Sequence, residues 1–261
     1  VEGLVALGFW LEARPIAPRV EAREMDDWRG KNTMQAVERA MRTFADRAAF
    51  EIEDVKAAID AVSPDVLLVD TNSWGAQAVA EASGLPWASF QPYFTALPAP
   101  GVPPFGPGFR RSLGPLARMR DAAFGKLIFD KMAAAGLTKL NMLRSSLDLA
   151  PLESIPDLLS RPPLVFYFTS QAFEYPRESW PENYRFVGPI SWTPTEEPPA
   201  WLEDLAEPIA LVTCSSERQN DDEIIRAALG SLPGAGFSVV ATTAAYDPAA
   251  FDDADSSRVR V

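Results

Sequence analysis

The segment "PDVLLVDTNSWGAQAVAEASGLPWASF", residues 64–90, restricts the fold more than any other part of the chain. "DVLLVD" is a short apolar run bounded by Pro64 and by polar residues. That pattern fits a strand buried on both faces of a parallel sheet. "SWGAQAVAEASG" reads as a helix ending at Gly84, where glycine can take the left-handed C-cap conformation. "LPWASF" is the next strand. Two strands joined through a helix by short connections form a parallel pair, and such crossovers are right-handed. The expectation is an α/β fold.

The flanking sequence extends this reading. Met34, Val37, Met41, Phe44, Ala48, Ile52, Val55 and Ile59 recur at steps of three and four, which predicts a long core-facing helix over residues 32–62. Asn32 or Thr33 can cap its start, and Ser63-Pro64 stops it. Residues 116–149 read as helical with a break near Gly136. "PLVFYFTS" and "YRFVGPI" read as further strands. "SWTPTEEPPAW" is a Pro- and Glu-rich connector that few contacts should cross, so a boundary is expected there. Beyond it the alternation restarts, with a strand at 209–213, a helix at 221–232, a strand at 237–242 and a last strand at Arg258. The expected organisation is a partial N-terminal domain over 1–190, a linker over 191–200, and the start of a second domain over 201–261.

Composition narrows the function. The 261 residues carry a formal charge of -12, and a diffuse negative field disfavours nucleic acid and anionic membranes as partners. No apolar run approaches the roughly 20 residues of a membrane span. One cysteine, Cys214, permits no internal disulfide, so nothing points to secretion and the expected setting is cytoplasmic. The chain has no histidine, which excludes a Ser-His-Asp triad or a histidine base built from these residues alone. It opens on Val1 and closes on "SSRVRV", which reads as a piece of a longer protein at both ends.

Three regions carry candidate chemistry. Asp70 ends an apolar strand, where a carboxylate can face the cleft of an open α/β sheet. Capping of the following helix, with Asn72 or Ser73, is an equal reading. Residues 91–109, "QPYFTALPAPGVPPFGPGF", are too rich in proline for a helix or central strand. They are also too aromatic for a plain linker, and such loops often serve a site. Trp74, Phe90, Tyr93, Phe94 and Phe105 could line an apolar pocket, although each alone reads as core. In "TCSSERQNDDE" the hydroxyls and backbone N–H groups of Ser215 and Ser216 could form an anion site near a helix start, or could simply satisfy local backbone. Consecutive Asp221, Asp222 and Glu223 point about 100° apart on a helix. They suit a first turn capped by Asn220 better than a metal. Cys214 reads as a small buried apolar residue.

The ordered set of segments resembles the sugar-nucleotide-dependent glycosyltransferases of family 1, which have the GT-B fold of two Rossmann-like domains. "PDVLLVDTNSWGAQAVAEASGLPWASF" is similar to the family's mid N-domain segment, and "YRFVGPI" to its strand before the linker. "PAWLEDLAEPIALVTCSSERQNDDEIIRAAL" and "FSVVATTAAYDPAAF" resemble the opening of its C-terminal domain. The resemblance implies inverting transfer of a sugar from a UDP- or TDP-sugar to a hydroxyl of a hydrophobic small-molecule or lipid acceptor. It implies no metal and no cofactor beyond that co-substrate. Asp70 matches the aspartate that pairs with the family's catalytic histidine. Ser215 and Ser216 match the donor-diphosphate loop, and Thr242 and Thr243 a region near the nucleotide. Asn72, Trp74, Phe90, Gln91, Tyr93, Phe94 and Phe105 fall on the acceptor wall. The family's N-terminal segment with the histidine and its C-terminal donor signature have no counterpart here, so the 261 residues alone are expected to be inactive. Ala244 stands where many relatives have glycine, and Cys214-Ser215-Ser216 replaces a Gly-Ser or Gly-Thr turn. Two other readings remain: a sugar-nucleotide epimerase of the same fold, and a binding or partner protein that has lost catalysis. No Gly-x-Gly-x-x-Gly follows a strand, against a Rossmann dehydrogenase.

Overall fold

The computed structural model describes residue 23 and residues 25–191, 197–215, 219–244, 246–251 and 258–261. The chain divides into two compact units, Val1–Trp192 and Thr193–Val261. Both are α/β with parallel sheets, the fold class expected from the sequence.

In the first unit, helix α1 spans Thr33–Val62. Asn32 caps it as expected, its Oδ1 accepting the Gln35 N–H at 3.0 Å. Ser63 ends it in the left-handed conformation, φ 51°. Strand β1 (Leu67–Asp70), helix α2 (Trp74–Ser83) and strand β2 (Trp87–Gln91) form the expected crossover unit. Helix α3 (Pro115–Met132) continues through a π-helical turn, Ala133–Leu137, into α4 (Thr138–Ser145). This turn is the break expected near Gly136. A short helix α5 (Ile155–Ser160), capped by Ser154, had no clear periodic signal. Strands β3 (Val165–Tyr167) and β4 (Tyr184–Phe186) complete a four-stranded parallel sheet in the order β1-β2-β3-β4.

Small residues let α1 and α2 approach closely. A Cβ on Gly75 would lie 2.0 Å from the Ala48 carbonyl oxygen of α1, so only glycine fits there. The main core fills the space among the helices with Met41, Ala45, Ala48, Trp74, Leu140 and Ile155. One charged pair penetrates it. Arg144 of α4 is 2% exposed and holds Glu81 of α2 through two hydrogen bonds of 2.8 and 3.1 Å. Its Nε donates to the Ala150 carbonyl at 3.0 Å. A second cluster, Leu97, Val165, Tyr167 and Tyr184, ties the loop after β2 to the sheet.

In the second unit, β5 (Ile209–Thr213), β6 (Ser238–Thr242) and β7 (Val259–Arg260) form a parallel sheet in that order. Helix α6 (Asp222–Ser231) packs on β5 and β6 through the fully buried Ile225. Residues 192–196 of the expected linker lie outside the described residues.

Candidate functional site

Asp70 is the last residue of β1, at the carboxyl end of the sheet. Its Oδ1 accepts the Asn72 N–H at 2.7 Å. Burial pushes its carboxyl up, and the Asn72 N–H opposes that. Asp70 does not cap α2, and Ser73, at the N-cap position, makes no side-chain cap bond either. The carboxylate of Glu51, from α1, serves this helix start instead. Its Oε2 accepts the Gly75 N–H at 2.8 Å. A residue 24 positions earlier in the chain leaves no local sequence signal for this role.

Burial pushes the Glu51 carboxyl up to about 7, against the lowering influence of the Gly75 and Ala76 N–H groups and of Arg47; Asp70 adds to the rise. The folded state therefore keeps this proton at pH values where the unfolded chain, near 4.5, has released it. The linked stability is present in full below about 4.5 and is lost as pH rises through about 7. Glu51→Gln keeps an acceptor for Gly75 but cannot ionise. Urea titrations at pH 4 and pH 8 should show the native chain losing up to about 3 kcal/mol from this group, and the variant escaping that loss. Identical pH profiles would refute the assignment.

The aromatic loop attaches directly to the Asp70 turn. The Tyr93 hydroxyl donates to Asn72 Oδ1, and desolvation first, then Asp70, push the phenol up to about 12. Beyond Tyr93 the chain folds into neither helix nor strand until Pro115. Residues of Phe94–Phe109, one face of α3 and Phe173–Arg177 line a half-open cavity of about 1030 Å³. Phe94 and Phe105 line it with half their surface exposed. The other expected wall residues stand elsewhere. Trp74 is a core residue, 4% exposed and tilted against Phe44, because the face of α2 that carries it meets α1 and the π-turn. Gln91 is buried, its amide donating to the Tyr93 carbonyl. Phe90 stacks on Phe168, with centroids 5.7 Å apart. Asn72 and Tyr93 join the two loops and do not line the cavity. The face of α3 that does line it was not anticipated. Arg118, Asp121, Ala122, Gly125 and Phe129 share it at helical spacing.

In the second unit, Thr213 and Thr242 end adjacent strands with their hydroxyl oxygens 2.8 Å apart. Thr243 is buried. The Ser215 N–H is not open to an outside anion. It donates to Asp221 Oδ2 at 2.9 Å. Tyr246 donates its hydroxyl to Oδ1 of the same carboxylate at 3.0 Å and accepts the Asp221 N–H at 3.1 Å. The Ser215 N–H holds the Asp221 carboxyl below the usual range. Asp221, not Asn220, stands at the N-cap of α6, and its side chain is turned to Ser215 and Tyr246. Asn220 is in the left-handed region, φ 58°. Cys214 is half-buried, its thiol donating to the Asp221 carbonyl. Ala244 takes φ 46°, a left-handed conformation that favours glycine. Ser216 lies outside the described residues. Among the described residues no three acidic or cysteine side chains gather as a metal site, and no helix is long and apolar enough to cross a membrane.

No protein-family model matches the chain. It is 29% identical over 209 residues to 4'-demethylrebeccamycin synthase of Lentzea aerocolonigenes, an alignment covering 77% of this chain and 49% of that protein. The chain thus spans about half the length of the curated relative. Among solved structures it is similar to the glycotransferase of kitacinnamycin, at 18% identity, with 84% of this chain and 53% of that one covered and a TM-score of 0.49. It is also similar to the Streptomyces sp. SF2575 glycosyltransferase SsfS6 complexed with thymidine diphosphate, at 16% identity, with 82% and 47% covered and a TM-score of 0.47.

Proposed function

We propose that these residues belong to an inverting glycosyltransferase of the GT-B fold, which moves a sugar from a UDP- or TDP-sugar to a hydroxyl of a hydrophobic small molecule or lipid. The observation that carries this reading is the large apolar cavity linked through Tyr93 and Asn72 to a carboxylate at the end of β1. The likeness to 4'-demethylrebeccamycin synthase over most of the chain supports it. In this reading the first unit binds the acceptor and residues 201–261 begin the nucleotide-sugar domain. Asp70 orients and charge-stabilises a base supplied from outside these residues, as an aspartate does for histidine. The 261 residues alone, having no histidine, do not transfer sugar. Catalysis uses no metal. With a single cysteine, the proposed setting is the cytoplasm. A sugar-nucleotide epimerase would have no use for so large an apolar cavity, which favours the transferase.

The donor loop is proposed in an altered form. Thr213 and Thr242 present hydroxyls at the strand ends, while Asp221 already holds the Ser215 N–H. A donor diphosphate at Ser215 would first displace that carboxylate. The Thr242, Thr243 and Ser216 assignments rest on the sequence resemblance.

The test uses a full-length protein carrying this chain. A panel of UDP- and TDP-sugars should include one that raises its melting temperature, because a true donor binds the native state. No shift with any donor would sink the transferase reading. In the same protein Asp70→Ala should lower kcat by about 10²- to 10⁴-fold while leaving donor affinity within a few-fold. An unchanged kcat would leave Asp70 as a turn residue only.

A further inference from the structure

The cavity gathers side chains that a folded chain usually hides. Phe94 and Phe105 of the loop line it while 52% and 53% exposed, and Phe173 and Tyr175 line it while 77% and 45% exposed. Four large rings left open around one half-open space mark a place for an apolar body.

The charged groups of the wall divide into those already engaged and one that is not. Asp121 pairs with Arg120, whose Nη2 is 2.6 Å from Oδ1, and its other oxygen is buried. Glu174 accepts the Tyr167 hydroxyl and faces Arg177. Arg177 donates to the Leu97 carbonyl at 2.9 Å and lies over the Trp180 ring, 4.4 Å from its centroid. Lys126 pairs with Asp130 at 2.6 Å. Arg118 differs. It lines the cavity and is exposed, and among the described residues its side chain has no ion pair, hydrogen bond or ring contact. It also stands near the start of α3, where no acid occupies the first turn. The helix dipole makes that the unfavourable end for a cation, so the local potential is positive. This holds in a chain whose formal charge is -12.

We infer that the molecule taken by this cavity is an apolar body bearing an anionic oxygen group, such as a carboxylate, which pairs with Arg118. This rests on reading the cavity as the acceptor site. A neutral molecule seated against Arg118 would strip water from the guanidinium and return nothing, whereas an anion replaces the lost water. The guanidinium is held by no bond among the described residues, so it is free to turn onto a bound anion. The anionic group is separate from the hydroxyl that would receive sugar near Asp70.

Fluorescence titration of a full-length protein carrying this chain, without any sugar donor, tests the inference. The probes are 2-naphthoate, ionised at neutral pH, and 2-naphthamide, its neutral counterpart of nearly the same shape. The native protein should bind 2-naphthoate about three- to fivefold more tightly, the worth of one partly exposed ion pair. Added salt should shrink that preference. Arg118→Gln should abolish it with little change for the amide, and Arg118→Glu should reverse it. A merely structural role for Arg118 would weaken both probes together. Equal binding of the two probes by the native protein, no binding of either, or an unchanged preference in Arg118→Gln would each overturn the inference. Because Arg118 is exposed, both variants should fold, and the native comparison decides even without them. Failure of every sugar donor would sink the transferase reading while leaving the charge preference standing; a donor shift with equal probe binding would do the opposite.

Discussion

Glu81→Ala should destabilise the first unit by about 3–5 kcal/mol. Arg144 sits 2% exposed between α4 and α2, and its two guanidinium bonds to Glu81 are what balance its charge. Removing the carboxylate leaves a buried cation with a single backbone carbonyl, that of Ala150, as its partner. An uncompensated buried charge is far more damaging than the intact pair is stabilising. A urea midpoint followed by tryptophan fluorescence would measure the loss, since Trp74 lies in the same core. The double variant Glu81→Leu with Arg144→Met should recover most of it, because an apolar pair of similar size avoids the desolvation penalty. A single variant as stable as the native chain would show that the pair contributes nothing.

The second large effect is expected at Gly75. Its place is set by the Ala48 carbonyl oxygen, 2.0 Å from where a Cβ would stand, with the Ala48 Cα at 2.9 Å. Both are backbone atoms of α1, so no rotamer change relieves the clash. Gly75→Ala would force α2 away from α1, stretching the Gly75 N–H bond to Glu51 and opening the core around Trp74. The loss should reach at least about 3 kcal/mol, the upper end for overpacking. Gly84→Ala provides the contrast. Nothing lies within 4 Å of its built Cβ, and only its left-handed φ of 71° is strained. It should lose about 1 kcal/mol. Equal losses at the two positions, read from urea midpoints, would refute the close-approach argument.

The crossover unit was legible because its signals are local. A short apolar run, a Gly at the helix end and a second short run specify strand, helix and strand without knowledge of distant residues. Helix α1 is legible from its period, and of its two candidate caps, Asn32 and Thr33, the structure uses Asn32. The site was less so. Trp74 was grouped with the aromatics of the loop as a possible pocket residue, though alone it reads as core, and the direction of a helical side chain is set by what the helix packs against. Glu51 gave no local sign, because it acts on a helix start 24 positions further along the chain. At Ser215 the composition suggested an open anion site. Asp221 closes it from six residues away, and only the hydrogen bonds reveal that.

The π-turn at Ala133–Leu137 makes the long helix sensitive to its length. A π-turn holds one residue more than regular α-helix would. Gly136 fills the turn against the Trp74 ring, where a Cβ would come within 2.8 Å of the ring and 2.9 Å of the Met41 carbonyl. Deleting a residue here would return the turn to the regular α-helical repeat. It would also rotate all of α4 by about 100° against α3. Arg144 would leave Glu81, while Asp121 and the cavity wall on α3 kept their places. The irregular turn therefore acts as a phase adjuster, letting one continuous helix face the cavity with its first half and the buried ion pair with its second.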